Sequence, residues 1–150
     1  MPVFLTRTVR FAAAHRYYRP EWSEERNREV FGACANPYGH GHNYVLEVTV
    51  AGEPDPETGF SVDLAKLDEL LRVEVRERLD HRHLNQDVAI FREGGKIPTT
   101  ENLLIFLWNR LAPRVEGARL VRLRLREDVD LWADYYGPGN EAGPRGEALA

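Results

Sequence analysis

Residues 34–50 read CANPYGHGHNYVLEVTV, and the run from 40 to 50 decides the fold. His40, His42, Tyr44, Leu46, Val48 and Val50 share one parity, while Gly41, Asn43, Glu47 and Thr49 share the other. Side chains at i and i+2 point to the same side of a strand. The run is therefore a strand whose apolar face begins with two histidines. Upstream, Val3, Leu5, Val9, Phe11 and Ala13 alternate in the same way, and His15 closes that parity. This predicts a second strand over residues 3–15, buried on one face. If the two strands are neighbours, His15, His40 and His42 can bring three imidazoles together. Three neutral nitrogen ligands with one open position is the pattern of a catalytic zinc site.

Cys34 precedes the histidine pair and is the only cysteine in the chain. Its neighbours Asn36, Pro37 and Gly39 spell a turn. The spacing leaves two roles open: a fourth ligand, closing a structural Cys/His3 zinc site, or a base or nucleophile beside an open one. One cysteine makes no internal disulfide, which points to a reducing compartment and a cytoplasmic protein. The stretch MPVFLTRTVRF is too polar for a signal peptide, and the longest apolar run, residues 103–108, is far short of a membrane span. With 20 basic and 24 acidic residues the formal charge is −4, which argues against a nucleic-acid or anionic-membrane partner.

The 150 residues, 43% of them hydrophobic, suit one domain, taken as 1–138 with a disordered tail at 139–150. Residues 17–30 show no period and read as a long loop. Leu64, Leu67, Leu71, Val75 and Leu79 recur at helical steps after a capping Ser61 or Asp63. DHRHLNQD, 80–87, follows as a loop, with a second His-x-His pair at His81 and His83. Pro98-Thr99-Thr100-Glu101 opens another helix, which Pro113 closes. Residues 119–127 form a strand with Val121, Leu123 and Leu125 on the core face and Arg122, Arg124 and Arg126 opposite. Glu127 falls on the apolar parity, where a carboxylate needs a partner or a ligand. Leu131–Tyr135 pairs back as a fourth strand. The order β, β, α, α, β, β predicts an α+β domain, a four-stranded antiparallel sheet with two helices on one face. Its open edges invite self-association.

Phe11-x-Ala13-x-His15-Arg16, Cys34-x5-His40-Gly41-His42-Asn43-Tyr44, Val62-Asp63-Leu64, Leu79-Asp80-His81, Pro98-Thr99-Thr100-Glu101-Asn102 and Glu127 occur in that order. Together they resemble the 6-pyruvoyltetrahydropterin synthase family, which includes the 6-carboxytetrahydropterin synthases of queuosine biosynthesis. The resemblance implies the tunnelling fold (T-fold), with trimers pairing into a homohexamer around a central barrel. It implies zinc on His15, His40 and His42, and Cys34 as catalytic thiolate rather than ligand. Asp80 and His81 would complete the catalytic group from a neighbouring subunit. Glu127 would anchor a pterin ring, with Glu101, Thr99 and Thr100 in the same pocket. The implied reaction is the zinc-dependent conversion of 7,8-dihydroneopterin triphosphate to 6-pyruvoyl-tetrahydropterin, a lyase step of tetrahydrobiopterin biosynthesis. The alternative from the same substrate is 6-carboxy-5,6,7,8-tetrahydropterin with acetaldehyde. Cys-x5-His is the spacing of the pyruvoyl-forming enzymes. Asn85 departs from the pattern, standing where an aspartate often ends the His81 loop.

Overall fold

The computed structural model describes residues 1–139; the residues of the expected tail from 140 onward lie outside the described part. The elements are β1 (Val3–His15), α1 (Glu24–Phe31), β2 (His40–Gly52), α2 (Leu64–Leu71), α3 (Glu77–Leu79), β3 (Arg82–His83), α4 (Leu84–Asp87), α5 (Thr100–Leu111), β4 (Arg119–Asp128) and β5 (Leu131–Tyr135). The sheet order is β3-β1-β2-β4-β5. Its four long strands pair antiparallel, as the alternation predicts. The fifth strand was not expected. β3 is two residues cut from the supposed DHRHLNQD loop, pairing parallel to β1 through Ala13 and Ala14. A two-residue strand is too short to show a period.

Burial follows parity. Val9, Phe11, Tyr44, Leu46, Val48, Leu123 and Leu125 bury one face of the sheet. The helices lie against this face through Leu67, Leu71, Val75 and Leu79 and through Leu103, Leu104, Leu107 and Leu111. Each such leucine stabilises the fold by roughly 1.5–3 kcal/mol relative to exposure. A register shift between Thr49 and Val50 opposite β4 puts Leu120 across from Val50. Leu120, rather than the expected Val121, therefore joins the core cluster. On the other face Arg122 and Arg126 meet Glu47, and Arg124 meets Asp134.

Two further expectations change. The supposed loop at 17–30 contains α1, capped by Ser23, whose hydroxyl accepts from the Arg26 N–H. The buried residue of α1 is Asn27, which binds Arg19 through both its amide groups. With no apolar stripe, the helix left no periodic signal. The helix predicted over 64–79 is broken by a π-turn at Arg72–Arg76, and Asp63, not Ser61, caps it. The π-turn holds buried Glu74, on which Arg78, Arg110 and Arg114 converge. The helix beginning at Thr100 is capped by Thr99 and ends at Leu111, two residues before Pro113.

Candidate metal centre and pocket

β1 and β2 pair over their whole length, with His15 opposite His40 and Ala13 opposite His42. Equal parity and this register put the three imidazoles on the helix side of the sheet end. Their ring centroids are 4.9 Å apart in each of the three pairs. One nitrogen from each ring lies within 4.8 Å of the others. His15 Nε2 and His40 Nε2 are 3.3 Å apart. Tetrahedral Zn–N bonds of about 2.0–2.1 Å require a separation of about 3.3 Å.

The hydrogen bonding fits a metal as well. The Tyr44 hydroxyl is 2.8 Å from His15 Nδ1. With Nδ1–H donating to that oxygen, Nε2 keeps a lone pair for a ligand. His42 Nε2 is buried, and although it is 2.9 Å from Glu127 Oε1, no hydrogen bond forms between them. The contact has ion-pair distance without donor alignment, which leaves that nitrogen for another partner. Burial, then His42, His40 and His83, lowers the His15 pKa to about 3. Burial lowers that of His42, with Glu127 opposing and His40 reinforcing. Neutral imidazole is the form that ligates.

Cys34 sits on a 3-10 turn, Gly32–Ala35. Its Sγ is 3.8 Å from His40 Nε2, yet it lies outside the three-histidine group. Burial, then Glu127, pushes the thiol above its ordinary range. The five-residue spacer to His40 has a structural cause. The Gly39 N–H bonds the Asn36 carbonyl at 2.8 Å, closing a turn. Gly39 has φ +69°, and a Cβ there would meet the His15 carbonyl oxygen at 2.4 Å. Only glycine lets the chain pass that close while delivering His40 to its strand.

Glu127 lies in β4 where the register with β5 slips, a bulge that re-aims a side chain. Thr100 Oγ1 donates to its Oε2 at 2.6 Å. Glu101, in the next position of α5, is exposed. Thr99 accepts from the Asn102 N–H and so serves as helix cap. Asp80 and His81 are anchored to β1 rather than to the histidine group. Asp80 accepts from the Ala12 N–H and from Arg76, and the His81 N–H donates to the Ala12 carbonyl. His81 Nε2 is 3.8 Å from Asp80 Oδ2, with the imidazole largely exposed. No hydrogen bond or ion pair joins either residue to Cys34 among the described residues.

Three contributors were not read from the sequence. Tyr44 holds His15, and its signal was available, since it continues the parity of His42. Asn85 clamps the Arg16 peptide, accepting its N–H at 2.7 Å and donating to its carbonyl at 2.9 Å. An ionised carboxylate could accept the N–H but not donate to the carbonyl, whereas the amide does both. Tyr17 lies on His15 with ring centroids 4.5 Å apart.

The chain matches the family model for 6-pyruvoyl tetrahydropterin synthase over residues 4–138. It is 40% identical over 124 residues to a 6-pyruvoyl tetrahydrobiopterin synthase of Poecilia reticulata, covering 83% of both chains. It is 38% identical over 133 residues to that of Homo sapiens, covering 89% of this chain and 90% of the relative. The solved structure of Caenorhabditis elegans 6-pyruvoyl tetrahydropterin synthase superposes with a TM-score of 0.83 at 35% identity, over 91% of this chain and 96% of that one.

Proposed function

Because the chain belongs to the 6-pyruvoyl tetrahydropterin synthase family, we propose that it is a zinc-dependent lyase converting 7,8-dihydroneopterin triphosphate to 6-pyruvoyl-tetrahydropterin with loss of triphosphate. The observation that carries the reading is the convergence of three imidazole nitrogens, a free thiol outside the ligand group and a carboxylate at one sheet end. That a thiol stands beside the ligands and not among them favours an open site over a structural Cys/His3 zinc.

Zinc on His15, His40 and His42, when bound, supplies a Lewis acid that acidifies the side-chain hydroxyl and adjacent C–H protons of the substrate. The residues do the rest. Glu127, held by Thr100, accepts the two N–H groups of the guanidine-like pterin edge. Cys34 takes a proton from the side chain, and the positive centre beside it opposes the burial that raises its pKa. Protons return to the ring at N5 and C6 as the side chain is oxidised, so the redox change stays inside the substrate. Triphosphate leaves with the C3′ oxygen. Asp80 orients His81 as a proton relay, from a neighbouring subunit of a homohexamer. That neither residue is hydrogen-bonded or ion-paired to Cys34 within one chain, among the described residues, supports that sharing. A lone free thiol fits the reducing cytoplasm.

The test is to incubate zinc-loaded protein with 7,8-dihydroneopterin triphosphate and identify the pterin by mass, with Cys34→Ala alongside. A pyruvoyl product lost in the variant is expected. A carboxy product with acetaldehyde would reassign the product; no turnover by folded, metal-loaded protein would overturn the reading.

A further inference from the structure

Beyond His15 the chain leaves β1, and the Tyr17 N–H donates to the Cys34 carbonyl at 2.8 Å. This bond brings the strand exit alongside the turn that carries the thiol. The Tyr17 ring then lies over His15, tilted by 39°. Phe31 of α1 stands edge-on behind it at 6.2 Å and is itself stacked on Trp22 at 5.8 Å. The ring is thus held between the metal corner and an aromatic cluster built by α1.

The hydroxyl is different. It has no hydrogen bond among the described residues, although the residue is half-buried. The backbone bond to Cys34 and the ring contact with His15 set the phenol beside the thiol and the metal corner, where the functional reading places the substrate. Cys34 and Glu127 are acceptors when ionised. With the donor edge of a pterin turned to Glu127, its O4 and N5 remain as acceptors and need a donor. Thr100 is already engaged with Glu127.

We propose that Tyr17 is a substrate-positioning residue: its ring forms the pocket wall beside His15, and its free hydroxyl donates to the pterin held between Cys34 and Glu127. The proposal rests on the functional reading above and adds a residue to it. Tyr17→Phe keeps the ring on His15 and removes only the donor. Tyr17→Leu removes the flat wall as well.

The experiment titrates zinc-loaded wild type, Tyr17→Phe and Tyr17→Leu with neopterin, following quenching of its fluorescence, and records zinc content and thermal midpoint of each. The Phe variant is expected to bind about 3–10-fold more weakly, the size of one hydrogen bond. The Leu variant loses a further factor of about 3–10 with the aromatic contact. Zinc content and thermal midpoint of the Phe variant stay at the wild-type values. Unchanged affinity in the Phe variant, with any loss in the Leu variant matched by lost zinc, would overturn the proposal and leave Tyr17 a packing residue for His15. Wild-type protein that binds zinc but no neopterin would instead overturn the functional reading, and the proposal with it.

Discussion

His40-Gly41-His42 and His81-Arg82-His83 have the same spacing, and the fold uses them in opposite ways. The first pair lies inside a thirteen-residue strand, so both imidazoles leave one face and meet His15 from the strand alongside. The second pair straddles the junction between a turn and a two-residue strand. His81 has φ +59° and points its ring into solvent. His83 turns inward against Gly39, with Nε2 3.5 Å from where a Cβ on that glycine would sit. Two residues of separation carry chemical meaning only when the backbone beneath them is regular. A regular strand makes the pair part of a three-histidine group that could hold a metal within one chain. An irregular turn makes it one exposed side chain and one wedge.

The largest effect that sharpens this contrast comes from removing one histidine of each pair. His42→Ala should lose zinc and lower kcat by about 10³-fold or more, because ligand and Lewis acid go together. His81→Ala should keep its zinc and lose about 10²–10⁴-fold in kcat, the range of a proton-transfer group. Zinc by absorption spectroscopy and turnover on the same samples separate the two. Mixing inactive Cys34→Ala and His81→Ala chains should then restore activity at about a quarter of the sites if subunits exchange and each site draws on two chains. Recovery would be absent if both residues served the same chain's site.

A smaller effect concerns what burial does to the first pair's partner. His15 is fully buried and titrates near 3 when folded, below the ordinary 6.5. The unfolded chain therefore binds this proton more readily. Stability of metal-free protein is whole above about pH 6.5 and falls as pH drops towards 3, at up to about 1.4 kcal/mol per unit. Urea midpoints of the metal-free protein between pH 7 and pH 4 should show that slope, and His15→Gln should flatten it. An equal slope in the variant would place the acid sensitivity elsewhere.

The same distinction between regular and irregular backbone explains what was legible. β1, β2, β4 and α5 span ten residues or more with one apolar face, so alternation or helical repeat announced them. His15, His40 and His42 were readable because they continue those patterns. α1 buries an asparagine rather than an apolar stripe, and β3 is too short for a period, so both passed as loop. The Leu120 for Val121 exchange comes from a bulge, which only strand pairing reveals. Tyr17 sits in a polar aromatic run and gains its place from a contact across the turn to Cys34. Thr99 and Thr100 look alike in sequence; the helix start assigns one to its cap and the other to Glu127.

The smallest expected effect is at His83, and it is the one that can break the contrast. Its Nδ1 is buried with no hydrogen-bond partner among the described residues, and its backbone is already fixed by pairing with Ala14 and by donation to Asp87 at 2.8 Å. If the ring is only a wedge under Gly39, His83→Leu fills the same space and removes an unsatisfied nitrogen. Stability should then change by less than about 1 kcal/mol, since the lost polar group made no bond to lose. Zinc content should match the wild type, and kcat should stay within about threefold. A marked fall in zinc affinity would mean that His83 reaches the metal corner, so that both pairs serve one site despite the irregular backbone under the second. Equilibrium dialysis against a zinc buffer decides between a wedge and a fourth histidine of the centre.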